Sequence, residues 1–320
     1  MKKGTIIALI VAFLLILTGG VILVMGLSYA GDSAQESKLT QQEMTVKESF
    51  DSIHIDTADC DVNFAMFSGR DDCMVAFREM DGVNHSVVVE DGTLKIKMTD
   101  DRKWTDYVGI FHFGRTETME MTVYLPAAEY DSLQVRTETG DITLTQEPFF
   151  REVMLRSDTG DISCVMGVAG DLLDCMTSTG DITVQNSAPG SIKLQSNTGD
   201  LKVSVVAVDE IHMTTNTGEG DAENVNVQMF TCQTDTGDVE LEQVLAEDYL
   251  QVFTDTGRVE VDNSDAGTVN IETDTGDVSG HFLTPKWFSA QSNTGDVNVP
   301  HTRDGGECRI QTDNGDIHFE

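Results

Sequence analysis

Eight aspartates follow a glycine directly and recur along most of the chain: Gly140-Asp141, Gly160-Asp161, Gly180-Asp181, Gly199-Asp200, Gly237-Asp238, Gly276-Asp277, Gly295-Asp296 and Gly315-Asp316. Two further glycines, Gly218 and Gly257, carry Glu219 and Arg258 in that place. A row of carboxylates offers three kinds of chemistry. Oxygen ligands can hold a divalent cation, a close pair can divide general acid and base duties, and an aspartate in a turn can accept backbone N–H bonds. Three residues before each glycine stands a hydroxyl, from Thr137 and Ser157 through to Thr312. A nucleophilic serine or threonine needs a base beside it, and near-identical neighbours in every repeat single none of them out. The six cysteines, Cys60, Cys73, Cys164, Cys175, Cys232 and Cys308, include no C-x-x-C and no Cys/His spacing suited to zinc. The seven histidines are scattered. No residue qualifies as catalytic, and no cofactor or metal site is assigned.

The spacing shows what must position these groups. Successive glycines lie 20, 20, 19, 19, 19, 20, 19, 19 and 20 residues apart. Seven and five residues before each glycine the chain is apolar, as in Leu133 and Val135 or Ile192 and Leu194; two and four after it the same holds, as in Ile142 and Leu144. A period of two on each side of a turn is strand periodicity. One repeat cannot bury its own apolar column, whereas stacked repeats make each column continuous. The expectation is an all-β, single-stranded parallel β-solenoid of 19–20 residues per coil, with the glycine supplying a positive φ at the turn. Ile53, Ile55, Val62 and Phe64, then Val87, Val89, Leu94 and Ile96, repeat the pattern more loosely. About 12–13 coils at a strand spacing of about 4.8 Å make a rod of roughly 60 Å.

This placement constrains each group. Carboxylates stacked about 5 Å apart repel by under about 1 kcal/mol per pair in a water-like dielectric. Backbone N–H donors, Arg258 paired with Asp238 and Asp277, or weakly bound calcium would relieve that repulsion. Turn chemistry is the plainer expectation, and a calcium-dependent structural module stays as an alternative. Cys164, Cys175, Cys232 and Cys308 fall in apolar columns and are expected as buried free thiols. Cys60 and Cys73 form the one pair considered for a disulfide.

The net charge is −35, from 20 Lys+Arg against 55 Asp+Glu. That excludes binding to nucleic acid through phosphate neutralisation. Residues 1–4 carry Lys2 and Lys3, and residues 5–27 are apolar without a charge. As a helix this stretch is roughly 34 Å long, enough to span a bilayer. The two lysines place residues 1–4 in the cytoplasm. Ser28-Tyr29-Ala30 resembles a cleavage site, so a cleaved signal remains an alternative to a retained anchor. Residues 28–45 read as a polar linker, 46–125 as degenerate β-coils and 126–320 as the regular repeat. The expected location is the cell membrane, crossed once, with the C-terminal region extracytoplasmic. Residues 99–118 interrupt the pattern with Trp104, Tyr107, Phe111, His112 and Phe113, a plug or a glycan platform. The last repeat runs through Ile317 and Phe319 with no polar cap, so an uncovered edge is expected there, open to a partner or a second copy.

The segments FDSIHIDTADCDVNF (50–64), MTVYLP (121–126) and the TxTGD(I/V) repeats resemble the adhesin-like β-strand-repeat proteins of bacterial envelopes, over roughly residues 46–320. The resemblance implies a right-handed β-helix and a surface role on an anchored chain. Glu219 and Arg258 depart from the repeat and speak against any role needing one residue in every coil. The function expected is therefore non-catalytic, an adhesin or protein-interaction scaffold whose partner is an envelope protein or a cell-surface glycan. A polysaccharide-active β-helix enzyme is the alternative; it would need a local break gathering carboxylates in one cleft.

Overall fold

The computed structural model describes residues 39–67, 69, 71–80, 82–101, 118–145, 149–165 and 170–320. The apolar stretch 5–27 and the aromatic cluster Trp104–Phe113 lie outside these. Among the described residues every regular element is a strand, and no helix is long and apolar enough to cross a membrane.

The N-terminal part is β1 (Thr40–Val46), β2 (Ser52–Asp56), β3 (Cys60–Met66), β4 (Cys73–Glu79), β5 (Val83–Glu90), β6 (Thr93–Asp100) and β7 (Met119–Leu125). Only β2 and β3 follow the coil plan fully. β6 stacks parallel on β2 and β7 parallel on β3. Then the direction reverses: β5 is antiparallel to β6, β4 to β7, and β1 to β4. The region read as worn-down coils is thus one coil under an antiparallel cap. Residues 40–45, read as linker, form most of β1, because Met44 and Val46 pack on the cap's core. The reversal at β5–β6 is a two-residue turn at Asp91 (φ 51°) and Gly92 (φ 75°), the left-handed pair that tight hairpins favour. Antiparallel and parallel strands share the period of two, so alternation alone did not separate them.

The coils follow as β8 (Glu129–Thr139), β9 (Ile142–Thr145), β10 (Phe149–Thr159), β11 (Ile162–Val165), β12 (Leu172–Thr179), β13 (Ile182–Gln185), β14 (Ser191–Thr198), β15 (Leu201–Thr217), β16 (Gly220–Thr236), β17 (Val239–Thr256), β18 (Val259–Thr275) and β19 (Val278–Phe282). Each stacks parallel on the next in the register of the repeat. Leu133 faces Val153, then Leu173, Ile192, Ile211, Phe230, Leu250 and Val269. All of these are buried.

A coil has three sides, not only the two strands that flank the glycine. Six residues after the glycine, Asn186, Val205, Asn224, Gln243 and Asn263 all take φ between 49° and 56°. These left-handed residues turn the chain onto a third side, where Val206, Val208, Val225, Val227 and Val244 are buried. Asparagine tolerates this conformation; a β-branched residue does not. Val205 (φ 54°) is half exposed and holds the corner alone among asparagines and a glutamine. Val205→Asn should therefore stabilise the protein by about 1 kcal/mol, measured as a rise in the midpoint of urea unfolding.

The last strands are β20 (Lys286–Ser292), β21 (Val297–Asn298), β22 (Gly306–Asn314) and β23 (Ile317–Phe319). Their spatial order is not their chain order. β18 and β19 pair with β22 and β23, and β20 and β21 lie beyond, on the far side of β22 and β23. The Gly315 coil sits between the Gly276 and Gly295 coils. The uncovered edge is therefore β20–β21 rather than the repeat ending at Phe319. Phe282, Phe288 and Phe319 fill the core at this end, with ring centroids 5.1–6.2 Å apart.

All six cysteines are buried and free, Cys60 and Cys73 included. Burial pushes the Cys60, Cys73, Cys232 and Cys308 thiols up to about 12. Cys175 is raised by its hydrogen bond to Cys164, which it faces across the core, and by burial. The native protein should resist alkylation at pH 8 because almost no thiolate is present or reachable, and denaturation without reductant should release six thiols. A count of four would restore the Cys60–Cys73 bridge.

Candidate functional site

The glycine corners form a ladder of backbone and side-chain bonds. Asp141 N–H donates to Asp61 Oδ1 at 2.9 Å, Asp161 to Asp141 at 2.9 Å, Asp181 to Asp161 at 2.8 Å and Asp200 to Asp181 at 2.8 Å. The ladder resumes after its irregular members: Asp316 N–H donates to Asp277 and Asp296 N–H to Asp316, both at 2.8 Å. Asp61, Asp141, Asp161, Asp181, Asp200, Asp238, Asp277 and Asp316 thus each have one oxygen committed to a neighbouring coil, a charge-assisted bond that offsets repulsion along the stripe. The hydroxyl column is committed too. Ser157 donates to Gly140 O at 3.1 Å, Thr177 to Gly160 O at 3.0 Å and Thr215 to Gly199 O at 3.0 Å, with the same bond at Thr234, Thr254, Thr273 and Thr312.

Glycine is required here by contact more than by φ. A Cβ on Gly140, Gly160, Gly180, Gly199 or Gly237 would lie 1.9–2.3 Å from a carbonyl oxygen of the coil below, and their φ of 148–158° is also positive. Gly276 and Gly295 do not have that positive φ, yet a Cβ there would lie 1.8 and 2.0 Å from a neighbouring glycine's oxygen. The positive φ expected from the sequence accompanies this crowding at most rungs and is not its cause.

The two irregular rungs differ. Arg258 still donates its N–H to Asp238 Oδ1 at 2.7 Å, and its guanidinium lies 3.4–3.9 Å from Glu240, Glu260 and Asp238. Of the two aspartates expected as its partners, Asp238 is one; Glu240 and Glu260 take the place of Asp277. Among the described residues no cation is paired with Glu219. Desolvation, and then Asp200, Asp221, Asp238 and Glu240, raise its carboxyl above the ordinary glutamate value. The folded state therefore holds that proton more tightly than the unfolded chain. The charge costs stability above the folded pKa, and the cost is gone below the unfolded one. Glu219→Gln should stabilise at pH 7 by on the order of 0.3 kcal/mol, since the side chain is exposed and screened. The gain should vanish as pH falls below about 4, read from urea midpoints at both pH values. Among the described residues no group of three or more His, Cys, Asp or Glu is placed to hold a metal ion.

The corner side chains are bonded to backbone, and the concave surface of the coil lies on another side. Beside the third side runs a groove of about 960 Å³, from Gly170 past Gly190 and Gly267 to Gly306. Its floor is small because the backbones are close: a Cβ on Gly267 would lie 2.7 Å from Glu247 O, and one on Gly306 2.3 Å from Gly267 O. Its rim carries Asp209, Asn226, Gln228 and Glu247. Lys286 closes one end, its buried ammonium bonded to Asp265, Ala266 O (2.7 Å) and Thr284 Oγ1 (3.1 Å). The apolar columns flanking each glycine do not mark this groove, because its lining comes from the segment after the second strand. The asparagines six residues after the glycine were the available signal.

One buried polar cluster lies in the N-terminal cap. His85 Nδ1 is 2.5 Å from Glu79 Oε1, His85 Nε2 is 3.1 Å from Thr57 Oγ1, and Phe77 stacks on the imidazole at 4.9 Å. The hydroxyl, imidazole and carboxylate have the sequence of a nucleophile relay, but all three residues are buried.

Three solved structures are similar in outline. A "putative adhesin" from Parabacteroides distasonis has 12% identity and a TM-score of 0.48, covering 88% of this chain and 98% of that one. A "putative lipid binding protein" from the same species has 13% identity and a TM-score of 0.45, with coverage of 88% and 97%. A "putative adhesin" from Parabacteroides merdae has 13% identity and a TM-score of 0.40, with coverage of 89% and 97%. None reaches a TM-score of 0.5, so they bear on neither ligand nor activity. No curated protein matches the chain. The family model described as Toastrack DUF4097 matches residues 50–241 and again 209–320, together nearly all of the described structure, and the chain belongs to that family.

Proposed function

We propose that the protein is a non-catalytic, membrane-anchored rod that serves as an adhesin or interaction scaffold outside the cytoplasm. Residues 5–27 are its single anchor, and the groove on the third side is its binding face. The observation that carries this reading is the division of labour around the coil. Carboxylates and hydroxyls at the glycine corner are bonded to the backbone of neighbouring coils rung after rung, while the third side offers a continuous acidic groove. Such a groove suits an extended ligand that repeats along its length, which fits a glycan strand or an extended protein segment better than a compact metabolite. An enzyme would need one coil to differ in its chemistry, and the irregular rungs Glu219 and Arg258 bring no acid–base pair into the groove.

The test is binding of the full chain in detergent to a glycan array and to solubilised envelope proteins, alongside Ala207→Trp. Ala207 is exposed in the groove, so the indole should fill it without touching the core. Binding that falls at least about tenfold in the variant, with an unchanged melting temperature, supports the reading. Binding indifferent to the indole, or turnover of a polysaccharide, removes it.

A further inference from the structure

We propose that two copies of this chain join end to end, with β20 of one pairing antiparallel to β20 of the other across a twofold axis. Four observations lead there. The exchange of the last two coils leaves β20 and β21 paired on one side only, so apart from Lys286 O, which accepts from the Thr302 hydroxyl, a row of backbone N–H and C=O groups faces outward, and such a row selects another strand. Edges are usually guarded by charge, proline or a bulge. Here the strand is KWFSAQS, and its one charge, Lys286, is buried and turned inward to Asp265. The apolar surface is also open: Trp287 is 56% and Val297 44% exposed, and Phe288 and Ala290, which occupy core columns, are covered on one side only. Lastly, residues 283–305 carry Lys286 and Arg303 against Asp296 and Asp304, a net charge of zero in a chain of −35. A strongly acidic protein repels its own copies everywhere except where the local charge vanishes.

The twofold register follows from the strand itself. With Ser289 on the axis, Phe288 of one copy lies opposite Ala290 of the other, and Trp287 opposite Gln291. Directly opposed residues share a face of the sheet, so the large and small core residues of the two open ends complement each other and the two interiors become one. Since the axis is perpendicular to the rod, the two N-terminal caps lie at opposite poles. If the chain is anchored as proposed above, a dimer then bridges two facing membranes; the pairing itself does not depend on that.

The experiment uses the full chain in detergent, prepared with two different affinity tags and mixed. Ser289→Cys places a thiol on the axis, and Gln233→Cys places one on an exposed mid-rod position of β16 as the control; the six native thiols are buried. Mild oxidation should cross-link Ser289→Cys into a mixed-tag dimer at a yield at least about tenfold above the control. Ser289→Lys, which sets two charges against each other on the axis, should leave a monomer in sedimentation. Equal cross-linking at both positions, or a wild-type monomer at every concentration, overturns the proposal. Vesicles carrying one tag each provide the second readout. A cross-link in detergent that never forms between vesicles keeps the dimer and removes the adhesive reading.

Discussion

Gly276→Ala should cost about 4 kcal/mol or more and unfold the C-terminal end of the rod well below the melting temperature of the wild type. The added methyl would lie 1.8 Å from Gly257 O and 3.2 Å from Arg258 N. Both contacts are backbone atoms fixed by the stack, so no side chain can swing away. Relief requires opening the ladder between the Gly257 and Gly276 coils, which breaks the Thr273 Oγ1–Gly257 O, Gly257 N–Thr275 O and Val259 N–Asp277 O bonds and exposes buried columns on either side. Overpacking with no soft neighbour stands at the high end of single-substitution costs. Gly92→Ala is the control. Its Cβ meets only the Asp51 carboxylate at 3.4 Å, so it should cost about 1 kcal/mol, for its positive φ. Thermal unfolding followed by circular dichroism separates the two, and a Gly276→Ala that melts within a few degrees of wild type would mean the corners are not in vertical register.

The second large effect lies in the cap. His85→Leu should destabilise by about 3–5 kcal/mol, because it leaves the buried Glu79 carboxylate without its 2.5 Å partner. Glu79→Gln should cost less, about 1–2 kcal/mol, since the amide oxygen still accepts from His85 Nδ1–H. The double substitution Glu79→Leu with His85→Leu should be milder than His85→Leu alone, because it removes both polar groups together. Urea denaturation of the three variants gives the comparison; equal losses in all three would assign the cluster a packing role only.

The two molecular ends and the middle were legible to different degrees, for one physical reason. Column periodicity reports which residues face the core, and Leu133 through Val269 are where it places them. It cannot report direction, because Val87 and Val89 alternate in the same way in an antiparallel hairpin as they would in a coil. Nor can it report stacking order, because Phe288 and Cys308 occupy the same column and either coil could lie outermost. The glycines were legible as corners, while the reason for them, an oxygen of the next coil under 2.4 Å from any Cβ, depends on the stack. The groove escaped because the third side is marked only by single left-handed residues, and one of those five is a valine.

Winding order at the C-terminal end has a kinetic meaning. Repeat proteins ordinarily grow one unit at a time, each new turn laid on a finished neighbour. Here β22 and β23, which follow β20 and β21 in the chain, must enter between β18–β19 and β20–β21. Residues 286–298 therefore have to hold off, or let go, until 306–319 arrive. That step closes 39 residues (Thr268 to Glu307) against the 19–20 of each regular coil, so it should lag behind the stacking of those coils in refolding. The final two turns assemble and fray as one unit, so a shortened rod would be cut cleanly after Phe282 rather than between them.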